Sequence, residues 1–490
     1  MPSKSLKIVS VSSEVAPFSK TGGLGDVARS LPKALKRLGQ DIIVVTPLYE
    51  KIIDKNEYDL KLIFKDVYLK INQKESVKIN FWKGYMMKGL PIYFVENAKY
   101  FSRRKSLYGS EHENARFLVF NLAALKLISL LKFEADIVHC HDWQTGLIPY
   151  FLKNNFRDSQ TLRKTKSIFT IHNLVFQLGH NWWEIPPSKK DYGKKSLPLI
   201  SDPGIEYVNF AKRGILYADA VNTVSEQYRE EILTKNFGQD LQRILKNREK
   251  KVFGIINGID YNDYNPRKDK ALFKNYDYKK TRRKRANKER LQSLLKLKTD
   301  GDIPVLAMTS RVTFQKGFEL ITKILEPLLN QNLEIIVMGD GDKKYINEVK
   351  KIGKKYPEKI VWVPFSENEN METLIYAGAD IFLLPSHHEP CGINQLIAMR
   401  YGCIPVVRSV GGLFNTVENY DPQNNKGTGF NFNGFDIFSL YASVVRALEM
   451  YKHKKIWRDL MIRAMKEANG WEIPAKKYLT LFKKTIKNKI

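Results

Sequence analysis

At 490 residues the chain is too long for one hydrophobic core and predicts at least two large domains. Its 43% hydrophobic and 12% aromatic content is globular, which excludes a disordered basic tail or a collagen-like fibre. A net charge of +29 raises nucleic acid and acidic ligands as partners, but most Lys and Arg lie scattered along helix-like faces (KALKRLG, ALEMYKHKK) and read as a solvated surface.

The amino-terminal stretch MPSKSLKIVSVSSEVAPF is too short and too broken by Ser and Glu for a signal-peptide core, and no run approaches the ~20 apolar residues of a membrane span. The expectation is a cytoplasmic protein with no membrane partner. Lys7 to Ser12 reads as the first strand. The loop Lys20-Thr-Gly-Gly-Leu-Gly follows, and from Asp26 the residues Val27, Leu31, Leu35 and Leu38 form one helical stripe that Gly39 stops. Pro32 predicts a late start or a kink in that helix. Further strands are expected at Ile42 to Val45, Ile92 to Val95, Asp136 to His139, Ser167 to Thr170 and Ala220 to Thr223.

The turn-rich stretch from Asn257 to Pro266 predicts the join between two lobes. The densest basic run, Lys279 to Arg285 (KKTRRKR), interleaves no aromatics after Tyr278, and no nucleic-acid partner is expected. The rhythm then resumes with strands at Val305 to Thr309, Leu333 to Met338, Ile360 to Val363, Asp380 to Leu384 and Ile404 to Val407. Short β-branched runs alternating with amphipathic segments predict α/β lobes, each with a doubly wound parallel sheet.

Such sheets bind ligands at the carboxyl ends of their strands. Lys20 with Gly22 and Gly23 sits at a strand-to-helix turn, as a tight turn or as a cradle of backbone N–H groups for an anion. Gly411, Gly412 and Leu413 repeat the arrangement in the second lobe, so both glycine pairs are candidates for one phosphate-bearing ligand. Arg311 and Lys316 share a loop, as surface cations or as a fork and a point charge that can clamp a diphosphate leaving group. Glu389, before Pro390, can hydrogen-bond a sugar hydroxyl or stabilise positive charge developing on a sugar ring. His172, Asp142 and Trp143 can supply polar and stacking contacts to the same sugar.

The three cysteines, Cys140, Cys391 and Cys403, form no CxxC pair, so neither a disulfide framework nor a Cys-rich zinc site is expected. Cys391 and Gly392 can line the pocket. His139, His141, His387 and His388 lack companions at ligand spacing, and no metal is expected.

The segments SKTGGLGDVARSLPKAL, HCHDWQTGLIPYFLK, FTIHNL, NGID, SRVTFQKG, GADIFLLPSHHEPCGINQLIAMRYG and VRSVGGLFNTV follow one another in the order found in bacterial glycogen synthases and plant starch synthases, and the chain resembles that family of retaining glucosyltransferases over nearly its whole length. The resemblance implies the GT-B fold, two Rossmann-like lobes facing a cleft. Residues 1–257 would form the acceptor-side lobe, 258–470 the donor-binding lobe, and 471–490 a helix crossing back to the first. It implies transfer of glucose from ADP-glucose to the non-reducing end of an α-1,4-glucan such as glycogen, with retention and with neither metal nor cofactor.

By motif match, Lys20, Gly22 and Gly23 would face the nucleotide diphosphate together with Gly411, Gly412, Leu413 and Thr416, and Arg311 and Lys316 would neutralise it. Glu389 matches the critical carboxylate, His172 and Asp142 the donor-glucose and catalytic-centre contacts, and Asn257 an interlobe polar residue; Phe365 is the candidate for stacking on the base. With no nucleophile evident on the opposite sugar face, front-face attack within an ion pair is the expected route. The chain departs from its relatives at Ile397, where related retaining families carry a second Glu, at Asn415, where Asp is common, and in the longer segment 366–371. The alternatives are the same transfer from UDP-glucose, a silent glucan-binding protein, and a nucleic-acid binder using the positive charge.

Overall fold

A parallel strand pair needs a crossover long enough to bring the chain back to the same end of the sheet, so β-branched runs separated by amphipathic helices fold as doubly wound sheets. The computed structural model describes residues 5–109, 111–366 and 370–489, and the chain divides into two compact units, 1–256 with 471–490, and 257–470.

The first unit holds β1 (Lys7–Val11), β2 (Asp41–Pro47), β3 (Lys61–Lys70), β4 (Ser76–Met87), β5 (Leu90–Glu96), β6 (Ile137–His141), β7 (Lys166–Ile171), β8 (Ala220–Thr223) and β9 (Val252–Gly254), ordered β3-β4-β5-β2-β1-β6-β7-β8-β9. All neighbours pair parallel except β3 with β4 and β4 with β5. The winding reverses between β1 and β6, which places the loops after these strands at the switch point where α/β sheets bind ligands. The expected central strands are present to within two residues at each end. The β3–β4 hairpin was not anticipated: β3 is largely exposed, and its register shifts between Leu62 and Val67 break the alternation that marks a strand.

The first helix runs Gly23–Arg37, earlier than the Asp26 stripe implied, with Pro32 buried inside it. The helix Glu472–Ile486 packs against it and buries Tyr478, Leu481 and Phe482; Lys477 pairs with Glu226 at 2.7 Å.

The second unit holds β10 (Val305–Thr309), β11 (Glu334–Met338), β12 (Ile360–Val363), β13 (Ile381–Leu384), β14 (Ile404–Arg408) and β15 (Phe430–Phe432), ordered β12-β11-β10-β13-β14-β15 and parallel throughout. Its switch point lies between β10 and β13. Part of the basic run is internal. Lys284 is buried and donates to the carbonyls of Tyr376, Ala377 and Tyr401, and Arg285 pairs with Glu289 and Asp302. Among the described residues no helix is long and apolar enough to cross a membrane.

Candidate active site

In the first unit the loop after β1 is organised by a residue the sequence did not single out. Glu14 is 1% exposed and accepts hydrogen bonds from the Thr21 N–H at 2.8 Å, the Thr21 hydroxyl at 2.7 Å and the Gly25 N–H at 3.0 Å. Burial lifts its carboxyl above the usual range despite those donors. Lys20 is half exposed and held by Asp26 at 2.8 Å, in the first turn of the helix. A side chain at Gly22 would meet nothing within 4 Å, and its φ of −163° suits any residue, so nothing within the protein requires glycine there.

The loop after β6 carries Asp142 at φ +57°, a left-handed conformation that turns the chain sharply out of the strand. Its Oδ1 accepts the N–H of His172 at 2.7 Å, which ties the end of β7 to that of β6. Burial lifts Asp142 to about 7, against the N–H donors of His172 and Asn173 and with the Glu14 charge adding to the rise. His172 Nε2 lies 3.0 Å from His141 Nδ1, and His141 Nε2 lies 3.3 Å from Ser10 Oγ. Burial holds His172 and His139 well below the usual imidazole value and His141 at about 3, so the three rings are neutral at pH 7. Trp143 corrects an expectation. Its ring is 5% exposed and packs edge to face on Phe117 at 5.2 Å and against Phe210, so it is core rather than an open stacking platform.

In the second unit the corresponding loops are rich in charge. Glu389, 7% exposed, accepts from the Lys316 ammonium and from the Ser386 hydroxyl at 3.1 Å. Burial works to raise Glu389, but Lys316 and Ser386 outweigh it and the carboxyl sits below the usual value. Arg311 is exposed and forms no ion pair among the described residues. Arg408 was not singled out, yet it donates to the His387 carbonyl at 2.6 Å and the Asn433 carbonyl at 3.1 Å, fixing the loop that bears Glu389. His388 is pushed down to about 4 by burial and by the neighbouring cations, against the Glu389 charge.

The second glycine pair differs from the first. Gly411 has φ +46°, a Cβ on it would lie 1.9 Å from the Glu389 carbonyl oxygen, and one on Gly412 would lie 2.0 Å from that of Cys391. These glycines let the helix Gly411–Thr416 seat directly on the Glu389 loop, and the Gly412 N–H donates to the Glu389 carbonyl at 3.1 Å. The Thr416 hydroxyl bonds the Gly412 carbonyl at 2.7 Å and receives Gln395 at 3.0 Å; Gln395 also donates to the carbonyls of Cys391 and Gly392. Leu413 and Cys391 are buried. Asn257, 2% exposed, leaves its Oδ1 without a hydrogen-bond partner among the described residues. Phe365 is 39% exposed, with its N–H held by Asp340 at 3.2 Å, and residues 367–369 of the long segment beside it lie outside the described residues.

The structure thus gathers His172, Asp142 and Glu14 in the first unit, and Arg311, Lys316, Glu389 and the 411–416 helix in the second. Neutral hydrogen-bonding groups suit uncharged hydroxyls, and cations beside an ionised carboxylate suit a reaction in which a glycosyl group separates from a phosphate.

Residues 7–247 match the family model described as the starch synthase catalytic domain, and residues 292–459 match that of glycosyl transferases group 1. A glycogen synthase of Thermotoga maritima is 39% identical over 98% of this chain and 99% of its own length. One from Caldicellulosiruptor bescii is also 39% identical, covering 97% and 99%. Among solved structures, the catalytic domain of starch synthase IV from Arabidopsis thaliana bound to ADP and acarbose aligns over 99% of this chain and 100% of that chain, with a TM-score of 0.86 and 28% identity. Sucrose-phosphate synthase from Thermosynechococcus elongatus, at 15% identity and a TM-score of 0.63 over 99% and 100%, shares the fold.

Proposed function

The chain belongs to the glycogen synthase and starch synthase family, hexosyltransferases of the GT-B fold, and on that premise we propose that it transfers glucose from ADP-glucose to the non-reducing end of an α-1,4-glucan with retention at the anomeric carbon. The observation that carries the reading is the Lys316–Glu389 ion pair, with Arg311 left exposed in the same group of strand-end loops. The pair keeps a buried carboxylate ionised, and the second cation is available to an incoming diphosphate. ADP is the favoured nucleotide because it is what the starch synthase IV structure holds.

In this reading Arg311 and Lys316 neutralise the diphosphate as the bond to the anomeric carbon breaks, and Glu389 stabilises positive charge on the sugar ring. The acceptor hydroxyl attacks from the side the diphosphate leaves, and its proton passes to the departing phosphate oxygen. His172 and Asp142 hold the donor sugar. Lys20 and the backbone of Gly22 and Gly23 approach the diphosphate; the open space above Gly22 supports that role, since no described neighbour explains the glycine. Gly411, Gly412, Leu413 and Thr416 serve the same group from the second unit, chiefly by seating the Glu389 loop. Asn257 offers its unpartnered Oδ1 to a polar ligand, and Phe365 stacks on the base. Residues 1–256 take the acceptor side and 257–470 the donor; the reaction proceeds without metal, in the cytoplasm.

The test measures ADP and UDP release from the two nucleotide sugars in parallel, with and without glycogen and in the presence of a chelator. Glycogen-dependent ADP release is expected. UDP release alone would overturn the donor assignment, and release of neither by the folded protein would leave a silent glucan binder.

A further inference from the structure

The neutral histidines of the first unit carry an inference about how the site presents its polar groups. Ser10 on β1 and His141 on β6 are 2% and 0% exposed, and His172 follows β7; these are adjacent strands of the sheet. The three side chains form one line, Ser10 Oγ to His141 Nε2 at 3.3 Å and His141 Nδ1 to His172 Nε2 at 3.0 Å. Nδ1 of His172 bonds no described residue. A neutral imidazole has one N–H and one bare nitrogen, so fixing one end of such a line fixes the other.

Two settings are possible. If His141 carries its proton on Nε2, it donates to Ser10, and the serine hydroxyl hydrogen is left buried with nothing to receive it, because His141 is the only hydrogen-bond partner of Ser10 Oγ among the described residues. If His141 carries its proton on Nδ1, Ser10 donates to His141 Nε2, His141 donates to His172 Nε2, and every buried donor is matched. The second setting is favoured because an unmatched buried donor loses its water without compensation. We propose that Ser10 and His141 are positioning residues that hold His172 as the Nδ1–H tautomer, so that it offers an N–H donor to an oxygen of the bound sugar. The tautomer rests on the line of hydrogen bonds; its role in sugar binding rests on the reading of His172 given above.

The side is well buttressed. His139 Nε2 lies 2.6 Å from the Thr170 hydroxyl, Thr170 bonds Asn222, and Asn222 donates to the Tyr478 hydroxyl at 3.1 Å. The Tyr478 and Phe482 rings stand 5.5 Å and 5.4 Å from the His139 ring, which itself lies 4.1 Å from that of His141. His141 therefore has little freedom to turn over and exchange its two nitrogens.

The test is nitrogen NMR of the full chain labelled at histidine, whose eight imidazoles give a sparse spectrum in which N–H and bare nitrogens are distinct. Wild type is expected to show His172 protonated at Nδ1 and His141 at Nδ1; protonation of His172 at Nε2 would overturn the proposal without need of any variant. Ser10→Ala and His141→Phe should convert His172 to a mixture of tautomers. They should raise KM for the nucleotide sugar by about 2- to 3-fold, because only a fraction of the molecules then carries the competent tautomer, and leave inhibition by the sugar-free nucleoside diphosphate unchanged. A parallel rise in KM and in the diphosphate inhibition constant would mean a merely structural role and would sink the proposal. Unchanged KM in His172→Ala would instead remove the sugar contact, and the wild-type spectrum would still decide the tautomer.

Discussion

Asp142 in the first unit and Glu389 in the second are 9% and 7% exposed, and each sits in a loop beyond the carboxyl end of a parallel strand. Burial lifts Asp142 to about 7, whereas Glu389 lies below the usual carboxylate value. The difference is a cation. Glu389 has the Lys316 ammonium against it, while Asp142 has backbone N–H groups and a second carboxylate, Glu14, adding to its rise. The rings around Asp142 are neutral as well. Desolvation is common to both sites, so it is the partner that decides whether a buried acid is charged. One unit is thereby suited to neutral hydroxyls and the other to separating charges.

The largest expected effect comes from neutralising Glu389. Glu389→Gln keeps the shape and removes the charge, and kcat should fall by about 10² to 10³, the range for loss of one preorganised electrostatic contact. Turnover near wild type would remove Glu389 from the chemistry.

Lys316→Met should make the second carboxylate behave more like the first. With the cation gone, burial is opposed chiefly by the Ser386 hydroxyl, and the Glu389 carboxyl moves upward from its lowered value. In wild type its lowered value contributes stability at neutral pH that is lost as pH falls through the carboxylate range; in the variant that contribution should be lost. Calorimetry should show a loss at pH 8 on the order of 3 kcal/mol, as for a buried pair stripped of one partner. An unchanged pH profile would show that Lys316 does not control the ionisation.

Asp142→Asn acts on stability with the opposite sign. The folded value of about 7 is above that of the unfolded chain, so the unfolded state releases this proton first and wild type loses stability between roughly pH 4 and 7. The variant should match wild type near pH 4 and exceed it at pH 8 by on the order of 4 kcal/mol, while turning over sugar more slowly. Equal stability at both pH values would mean that Asp142 is ionised when folded.

The central strands were legible because parallel strands covered on both faces are nearly continuous apolar runs, as Val305–Thr309 is, and no tertiary knowledge is needed to see them. The exposed, irregular β3–β4 hairpin had no such pattern. The strand-end loops were legible for the same reason as the strands, and with them the strand-end placement of Asp142, His172, Arg311, Lys316 and Glu389. What could not be read was partnership. Glu14 looked like a polar interruption in an apolar stretch until Thr21 and Gly25 closed on it, and Trp143 looked available until Phe117 and Phe210 enclosed it. The two Gly-Gly-Leu runs read alike, although Gly411 and Gly412 lie against a neighbouring backbone and Gly22 does not.

The helix Glu472–Ile486 closes over the face of the first unit that carries His139, through a bond between Asn222 and Tyr478 that joins residues 256 positions apart. During synthesis that face stays uncovered while residues 257–470 are made, for about 10 to 40 s at ordinary translation rates. The second unit is one uninterrupted stretch of chain and has all its residues before the first unit has its last helix. A nascent chain halted before Trp471 would therefore display an unfinished first unit, with an apolar face for a chaperone to hold, beside a second unit already able to fold.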